Sequence, residues 1–286
     1  PVDLHNQTVA PDRLLAETAW ELWGSYSEAA PRTATHLKEW CAASSSIGRA
    51  VLVLDALSLR EMPWLLGGDH ARHIQPTDVR VTGAEAPSDT DQFAHALGLP
   101  SRSHLAGNGA PASFNLFPSK AYTDVISVPF EDAVGGISHE SNVFVWHSWL
   151  DDLIHVHRKL PDQIYKIAAA TLQDDGFWNF ANRLRQGRKL IITSDHGYAV
   201  SKLFSSEEID PDVIEKLRET FGAARYKKAN GPWQERFMPP IVVSHNEHHI
   251  VMGQRKWKVQ GGFPHVCHGG LSLLEVAVPF IELPPL

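Results

Sequence analysis

Residues 190–200 read LIITSDHGYAV, an apolar run that stops at Ser194-Asp195-His196-Gly197. Leu190 to Thr193 have the hydrophobic and β-branched character of a buried strand. A carboxylate and an imidazole at the end of such a strand are costly to desolvate unless a charge partner meets them there. Gly197 follows at once, and its conformational freedom lets the chain turn so that both side chains reach one point. Buried strands that end in chemistry belong to α/β sheets, which gather functional side chains at the C-terminal edge of their parallel strands.

Working outward, AVLVLDAL (50–57) is a continuous apolar run suited to a central parallel strand, and NVFVWHS (142–148) is another strand. DVRVTGAEA and the final AVPFIEL add two more. Between them lie helical patterns: PDRLLAETAWELWGSYSEA and TATHLKEWCAA within 11–43, SLREMPWLL, TDQFAHALGL, and a long stretch over roughly 149–187. This alternation predicts an α/β three-layer sandwich with a mostly parallel central sheet and helices on both faces. Residues 98–141, rich in Gly, Pro, Ser and Asn, read as a long loop with little regular structure. The expected organisation is an N-terminal helical segment, 1–47, then a domain over 48–286. Within 198–262, the helix PDVIEKLRETFG, a basic loop and the strands IVVSH, HIVMG and KWKVQGG suggest a cap or insertion.

The chain has 286 residues, 43% hydrophobic and 21% charged, as an ordinary globular protein has. Its two cysteines, Cys41 and Cys267, form no CxxC pair, so a reducing cytoplasm is the expected location. No apolar run approaches the ~20 residues of a membrane span. PVDLHNQTVA is no signal peptide, and a start at Pro1 instead of Met is what a fragment would show. A net charge of −7 gives no global attraction to nucleic acid. Sixteen histidines, however, make a metal site worth seeking.

Asp55 closes the run AVLVL, His147 and Asp151 follow NVFVW, and Asp195-His196 follows KLIIT. PHVCHGG adds His265 and His268 ahead of a glycine pair. An aspartate in such a place also caps helices, which leaves that role open for Asp55 and Asp151, and His155 and His157 also suit a helix surface. Asp and His recurring at one sheet edge are nonetheless what a metal cluster requires.

Taken in order, VLVLDAL, APSDTDQFAHALG, FVWHSWLDDLIH, IITSDHG and HGGLSLLE resemble the PglZ domain, a branch of the alkaline phosphatase superfamily, over roughly residues 48–284. The resemblance implies an alkaline phosphatase-like fold and two divalent metals, zinc or alternatively manganese, around a Ser or Thr nucleophile. It implies that Asp55, Asp195 and His196 hold one metal and that Asp151, His155 and His268 hold the other. The four-residue spacing puts Asp151 and His155 on one helix face. Two segments match the nucleophile motif. Pro87-Ser88-Asp89-Thr90 precedes a predicted helix and keeps the Thr, whereas Pro118-Ser119-Lys120-Ala121 has Ala121 in that place. Thr90 is therefore the expected nucleophile, with Ser88 as the alternative, at a helix start whose amides can hold a phosphoryl oxygen.

The implied activity is that of a cytoplasmic phosphodiesterase or nuclease acting on nucleotides or nucleic acid in bacterial phage defence, alongside other defence proteins and without a membrane. Lys227, Lys228, Arg255 and Trp257 are the residues expected to guide a polyanion, with a base stacking on Trp257 or Trp233. Alternating Lys-Trp-Lys also suits a half-exposed strand. The competing readings are a non-catalytic interaction module in a defence or signalling complex, and a phosphomonoesterase or phosphomutase on the same fold. No C-x-P-x-R segment is present to support a sulfatase.

Overall fold

A computed structural model of the chain describes residues 2–67, 74–157, 159–200, 210–231, 233–234, 237–245, 247–260, 262 and 265–286, with side chains from residue 7 onward. The apolar run after Ile47 forms β1 (Gly48–Leu54), and the sheet is built around it. The other strands are β2 (Asp78–Gly83), β3 (Tyr122–Ile126), β4 (Asn142–His147), β5 (Arg188–Thr193) and, at the C-terminus, β11 (Ala277–Leu283), in the spatial order β2-β11-β5-β1-β4-β3. β1 lies parallel between β4 and β5, with Leu54 opposite His147 and Val53 opposite Thr193. β3 is parallel to β4, and only β11 runs the other way, antiparallel to both β5 and β2. The C-terminal ends of β1, β4 and β5 therefore meet at one edge.

Strand alternation sorts the side chains into two layers. Ala50, Leu52, Val143, Val145, Leu190 and Ile192 face one cover, whereas Val51, Val53, Phe144, Trp146 and Ile191 face the other. On the second face lie α2 (Thr33–Ala42), which contributes Leu37 and Cys41, and α4 (Thr90–Ala96), which contributes Phe93. α1 (Val2–Glu17) lies further out, and α3 (Met62–Gly67) sits on the first face through Leu65. The long helical stretch breaks into α5 (Trp149–His157), α6 (Pro161–Leu172) and α7 (Asp175–Arg185), all on the first face. Pro161 opens α6, and the Asp174 carboxylate caps α7 by accepting from the Gly176 N–H at 2.7 Å. No helix among the described residues is long and apolar enough to cross a membrane.

Two sequence expectations fail. Residues 98–141 are not structureless: they contain a 3₁₀ segment, Arg102–Asn108, and the edge strand β3. Read as YTDVI, β3 has one neighbour and partly exposed faces, so its apolar alternation is weak. KWKVQGG is not a strand either; it forms a single bridge from Val259 to Gly262, because Trp257 turns into a local core.

The region after Gly197 begins with β6 (Ala199–Val200), which pairs antiparallel with β10 (Val266–Cys267). Between these strands lie α8 (Pro211–Phe221) and a small antiparallel sheet of β7 (Tyr226–Lys228), β9 (His248–Val251) and β8 (Val242–His245). One side of this cap packs Leu217, Phe221, Val251 and Trp257, and the other packs Ile250 and Met252 against Trp23 and Leu271. Arg225 clasps cap to body: its guanidinium reaches both Glu275 oxygens, at 2.8 and 2.9 Å, and the Arg255 and Gly253 carbonyls. Glu275 also accepts from Gly270 N–H and from the Ser272 hydroxyl, and both ends of the pair are fully buried.

Removing one partner of such a pair leaves an uncompensated buried charge. Glu275→Gln is expected to cost about 3–5 kcal/mol in urea unfolding. Ser272→Ala removes one neutral donor to a charged group and is expected to cost less, about 2 kcal/mol.

Candidate active site

Asp55 follows the last residue of β1, and its backbone N–H donates to the His147 carbonyl at 3.0 Å, so β4 fixes where the carboxylate points. Its Oδ2 accepts from Trp146 Nε1 at 3.0 Å and from the Arg102 guanidinium. Asp195, two residues past β5, accepts from the Ala56 N–H at 3.0 Å on Oδ1, while the Ser194 hydroxyl beside it donates to the His196 carbonyl at 2.6 Å. Ala56 adopts the left-handed region, φ +63°, an uncommon conformation for a residue with a Cβ, and it aims that N–H. The Gly197 carbonyl can only accept, so His196 donates to it through Nδ1 (2.9 Å). Its Nε2 then faces Asp195 Oδ2 at 3.4 Å and Asp55 Oδ1 at 3.8 Å.

Thr90 is the first residue of α4, after the cap residue Asp89. Its hydroxyl donates to Asp195 Oδ2 at 2.8 Å and lies 3.4 Å from Asp55 Oδ1 and 3.3 Å from His196 Nε2. A second group stands beside it. Asp151 Oδ2 is 3.3 Å from His155 Nε2, one helical turn along α5, and Asp151 Oδ1 is 3.8 Å from His268 Nε2. The His268 and His196 rings stack at 4.4 Å and 15°, which joins the two triads. Within each triad the prospective ligand atoms lie within 4.8 Å of one another. The first triad is buried, whereas the His155 side chain is 60% exposed, so the site opens on the second.

The electrostatics show too much negative charge for the room available. Burial, and then Asp195, raise the Asp55 carboxyl well above its usual range, and burial likewise raises Asp151. Burial opposes charging of His196, but Asp195, Asp55 and Asp151 together outweigh it and lift the imidazole to about 9. Burial, followed by His196 and His155, holds His268 well below its ordinary value. Asp151 Oδ1 is buried without a hydrogen-bond partner. Two aspartates with one histidine, and one aspartate with two histidines, are donor sets that suit zinc or manganese. The residues present therefore fit a pair of divalent cations.

The structure brings together Thr90 and all six expected ligands, and it separates the other candidates. Ser88 is fully buried; it donates to the Gly270 carbonyl at 2.7 Å and accepts from the Gly269 N–H at 3.2 Å, fixing the turn behind His268. Ser119 accepts from Asn142 at the start of β4, the opposite sheet edge. His147 packs on Phe130 at 4.1 Å and belongs to neither triad, and burial lowers its imidazole to about 4. His265 is in neither triad. Lys227 and Lys228 are exposed on β7. Arg255 and Trp257 are not: Arg255 donates to Pro240 O at 3.0 Å, and Trp257 Nε1 donates to Gly222 O at 2.7 Å inside the cap core. The Trp257 ring is closed to a base. Gly197 also acts differently from the expectation. It is needed for space, since a Cβ would collide with the Leu274 carbonyl and sit 3.2 Å from Ser58 Cβ.

Sequence reasoning missed Arg102, which lies in a segment without periodicity, and Trp146, which reads as an ordinary core aromatic. It also missed the brace behind the site. Glu61 accepts from the Tyr198 hydroxyl at 2.7 Å and the Ser58 N–H at 3.0 Å, and Arg60 donates to the Tyr198 carbonyl while lying over its ring. This ties the loop after β1 to the loop after β5.

Burial holds the Glu61 proton up to about 7, against the usual 4.5. The folded state binds this proton more tightly, so the contribution is complete below 4.5 and is lost as pH rises through about 7. Glu61 is expected to contribute on the order of 3 kcal/mol to the fall in urea stability across that window, beside the fall from buried Asp12, and Glu61→Gln should lower the slope by that share. A wild-type slope retained in Glu61→Gln would assign the effect elsewhere.

No curated protein matches the sequence. The structure is similar to that of murine ectonucleotide pyrophosphatase/phosphodiesterase 5, at 15% identity over 83% of this chain and 88% of that chain, with a TM-score of 0.51. A phosphonoacetate hydrolase from Sinorhizobium meliloti 1021 aligns at 13% identity over 84% and 90%, with a TM-score of 0.49. The fold is thus alkaline phosphatase-like. The family model of the BREX system PglZ alkaline phosphatase-like domain matches residues 113–283, which include Asp151, His155, Asp195, His196 and His268. Asp55 and Thr90 precede that stretch and reach the site through β1 and α4. With more than half of its residues matched, the chain belongs to the PglZ family, the alkaline phosphatase-like domain of BREX systems.

Proposed function

We propose that the chain is a metal-dependent phosphoesterase that cleaves phosphodiesters of nucleotides or nucleic acid, with Thr90 as its nucleophile. The observation that carries this reading is the Thr90 hydroxyl, 2.8 Å from Asp195 Oδ2 and beside two Asp/His triads. Asp55, Asp195 and His196 would hold one divalent cation, and Asp151, His155 and His268 a second, zinc or manganese. Bound there, the cations would neutralise the attacking and leaving oxygens of an in-line displacement and offset the repulsion among the carboxylates.

The side chains supply the rest. Asp195 Oδ2 already accepts the Thr90 hydroxyl hydrogen, which orients the Oγ1 lone pairs for attack on phosphorus. As the new Oγ1–P bond forms, the P–O bond to the leaving ester oxygen breaks, the proton released from the Thr90 hydroxyl ends on that oxygen, and water later cleaves the phosphothreonine to regenerate the Thr90 hydroxyl. Arg102, next to Asp55, is placed to donate to non-bridging phosphoryl oxygens. Trp146 and the Ala56 N–H keep the two carboxylates from rotating.

Exposed Lys227 and Lys228 give a polyanion a basic strip on the cap. The BREX description supports a role in phage defence, in the cytoplasm and with other proteins of that system.

The test is hydrolysis of bis-p-nitrophenyl phosphate against p-nitrophenyl phosphate with zinc or manganese. The diester should be cleaved, and Thr90→Ala should lower kcat by on the order of 10³-fold or more. Metal analysis should find two ions per chain, and one in Asp151→Ala. A folded protein that binds no metal, or a Thr90→Ala variant with the wild-type rate, would sink this reading.

A further inference from the structure

Between α8 and the small cap sheet lies a cavity of about 260 Å³. Lys216 reaches it from α8, Lys227 and Lys228 from β7, His249 from β9, and Trp233 from the segment that joins β7 to β8. Lys227 and His249 stand opposite each other across the β7–β9 ladder. No described residue of the lining is acidic, in a chain whose net charge is −7. Glu247 comes within 4.0 Å of Lys228, but both side chains are exposed, and such a pair is weak in water. The cavity is therefore a local concentration of positive charge on an acidic protein.

Trp233 is fixed in its wall. Its N–H donates to Ser244 Oγ at 3.2 Å, and the same hydroxyl pairs with His249 Nδ1 at 3.0 Å. The indole packs on Phe221 at 5.8 Å and meets the His249 ring at 5.2 Å and 69°. It is nonetheless only half-buried, whereas Trp257 is closed inside the cap core. A rigid aromatic beside three lysines offers the two contacts that a nucleotide uses: a surface on which a base stacks and cations for its phosphates. The volume falls below the roughly 300–1,000 Å³ of small-ligand sites, which suits one unit of a longer chain.

β7 also ties the cavity to the metal-ligand turn. Tyr226 packs its ring on Gly269, next to His268, and Lys227 and Lys228 follow along the strand at about 3.3 Å per residue. The cavity thus neighbours the turn that carries His268, of the triad on which the active site opens.

We propose that this cavity binds one nucleotide of a single-stranded nucleic acid, with its base against Trp233 and its flanking phosphates among Lys216, Lys227 and Lys228. As a substrate subsite it rests on the phosphoesterase reading, and it narrows the substrate to unpaired strands long enough to reach from the cap to the triads. A base that stacks on Trp233 cannot stay stacked within a duplex. Lysines on two elements suit phosphates on both sides of the base, and a lone mononucleotide would leave some of them unused.

The test is fluorescence anisotropy of a labelled single strand of about 12 nucleotides with the Thr90→Ala protein, in zinc and in EDTA. Trp233→Ala should weaken binding by about tenfold, and Trp233→Phe should keep most of it. The Trp233→Ala effect should persist in EDTA, because the cavity needs no metal. Replacing both Lys227→Gln and Lys228→Gln should lower the slope of log Kd against log salt by about 1.4. Unlabelled strand should displace the probe at least about tenfold better than TMP or the same strand annealed to its complement. An unchanged Kd in Trp233→Ala, an effect seen only in zinc, an unchanged salt slope in the lysine variant, or equal competition by TMP or duplex would overturn the proposal. Wild-type cleavage of bis-p-nitrophenyl phosphate is read separately. Its absence with strand binding intact removes the phosphoesterase reading and leaves the cavity as a single-strand site; cleavage without strand binding removes this proposal alone.

Discussion

Three carboxylates, Asp55, Asp195 and Asp151, converge at one sheet edge where burial gives them little solvation, and the surrounding structure is arranged around holding them there. Left alone they would repel one another or take up protons. The chain partly counters this with fixed donors: Trp146 Nε1, the Ala56 N–H and the Thr90 hydroxyl each hold a named oxygen. Those donors orient the carboxylates but supply no full positive charge. Arg102 supplies some, and divalent cations, held in part by a neutral His196, would supply the remainder.

The same logic extends to the back of the site. Glu275 and Arg225 form a clasp that involves both the cap and the turn bearing His268. Gly270 packs against the guanidinium so closely that a Cβ there would overlap it, and Gly197 donates to the Glu275 carbonyl at 2.8 Å. The position of His268 is therefore coupled to that of the loop carrying Asp195 and His196. The stacking of His268 on His196 is the visible result. Between the triads the burial differs: the first is sealed, and the second faces outward through His155. A ligand approaching from solvent meets the second triad first.

Much of this was legible in the chain. The unbroken apolar runs at 50–54 and 190–193 specify strands buried on both faces, and buried parallel strands bring their ends to a common edge. Asp55 and Asp195-His196 had to meet once β1 and β5 were neighbours. The spacing of Asp151 and His155 fixed their common helix face. Less visible were elements whose signal is not periodic. β3 is a short edge strand, Arg102 sits in a 3₁₀ turn, and the basic run 255–258 gave no hint of which side chains turn inward.

Local periodicity and spacing act over a few residues, so the chain alone specifies the strands and helix that carry the charged residues. The motif already favoured Thr90 over Ser88 and over the Pro118–Ala121 segment, and the folded chain adds where each of these hydroxyls lies. Thr90 lies 2.8 Å from Asp195, Ser88 is spent on the turn at Gly270, and Ser119 sits at the far edge of the sheet. The tertiary contacts also make Trp257 core, because burial is set by segments distant along the chain. Gly197, which ends the stretch LIITSDHG, shows the division most clearly. Its identity suggested a free turn, but its actual constraint is the Leu274 carbonyl pressing against it from a segment 77 residues further along the chain.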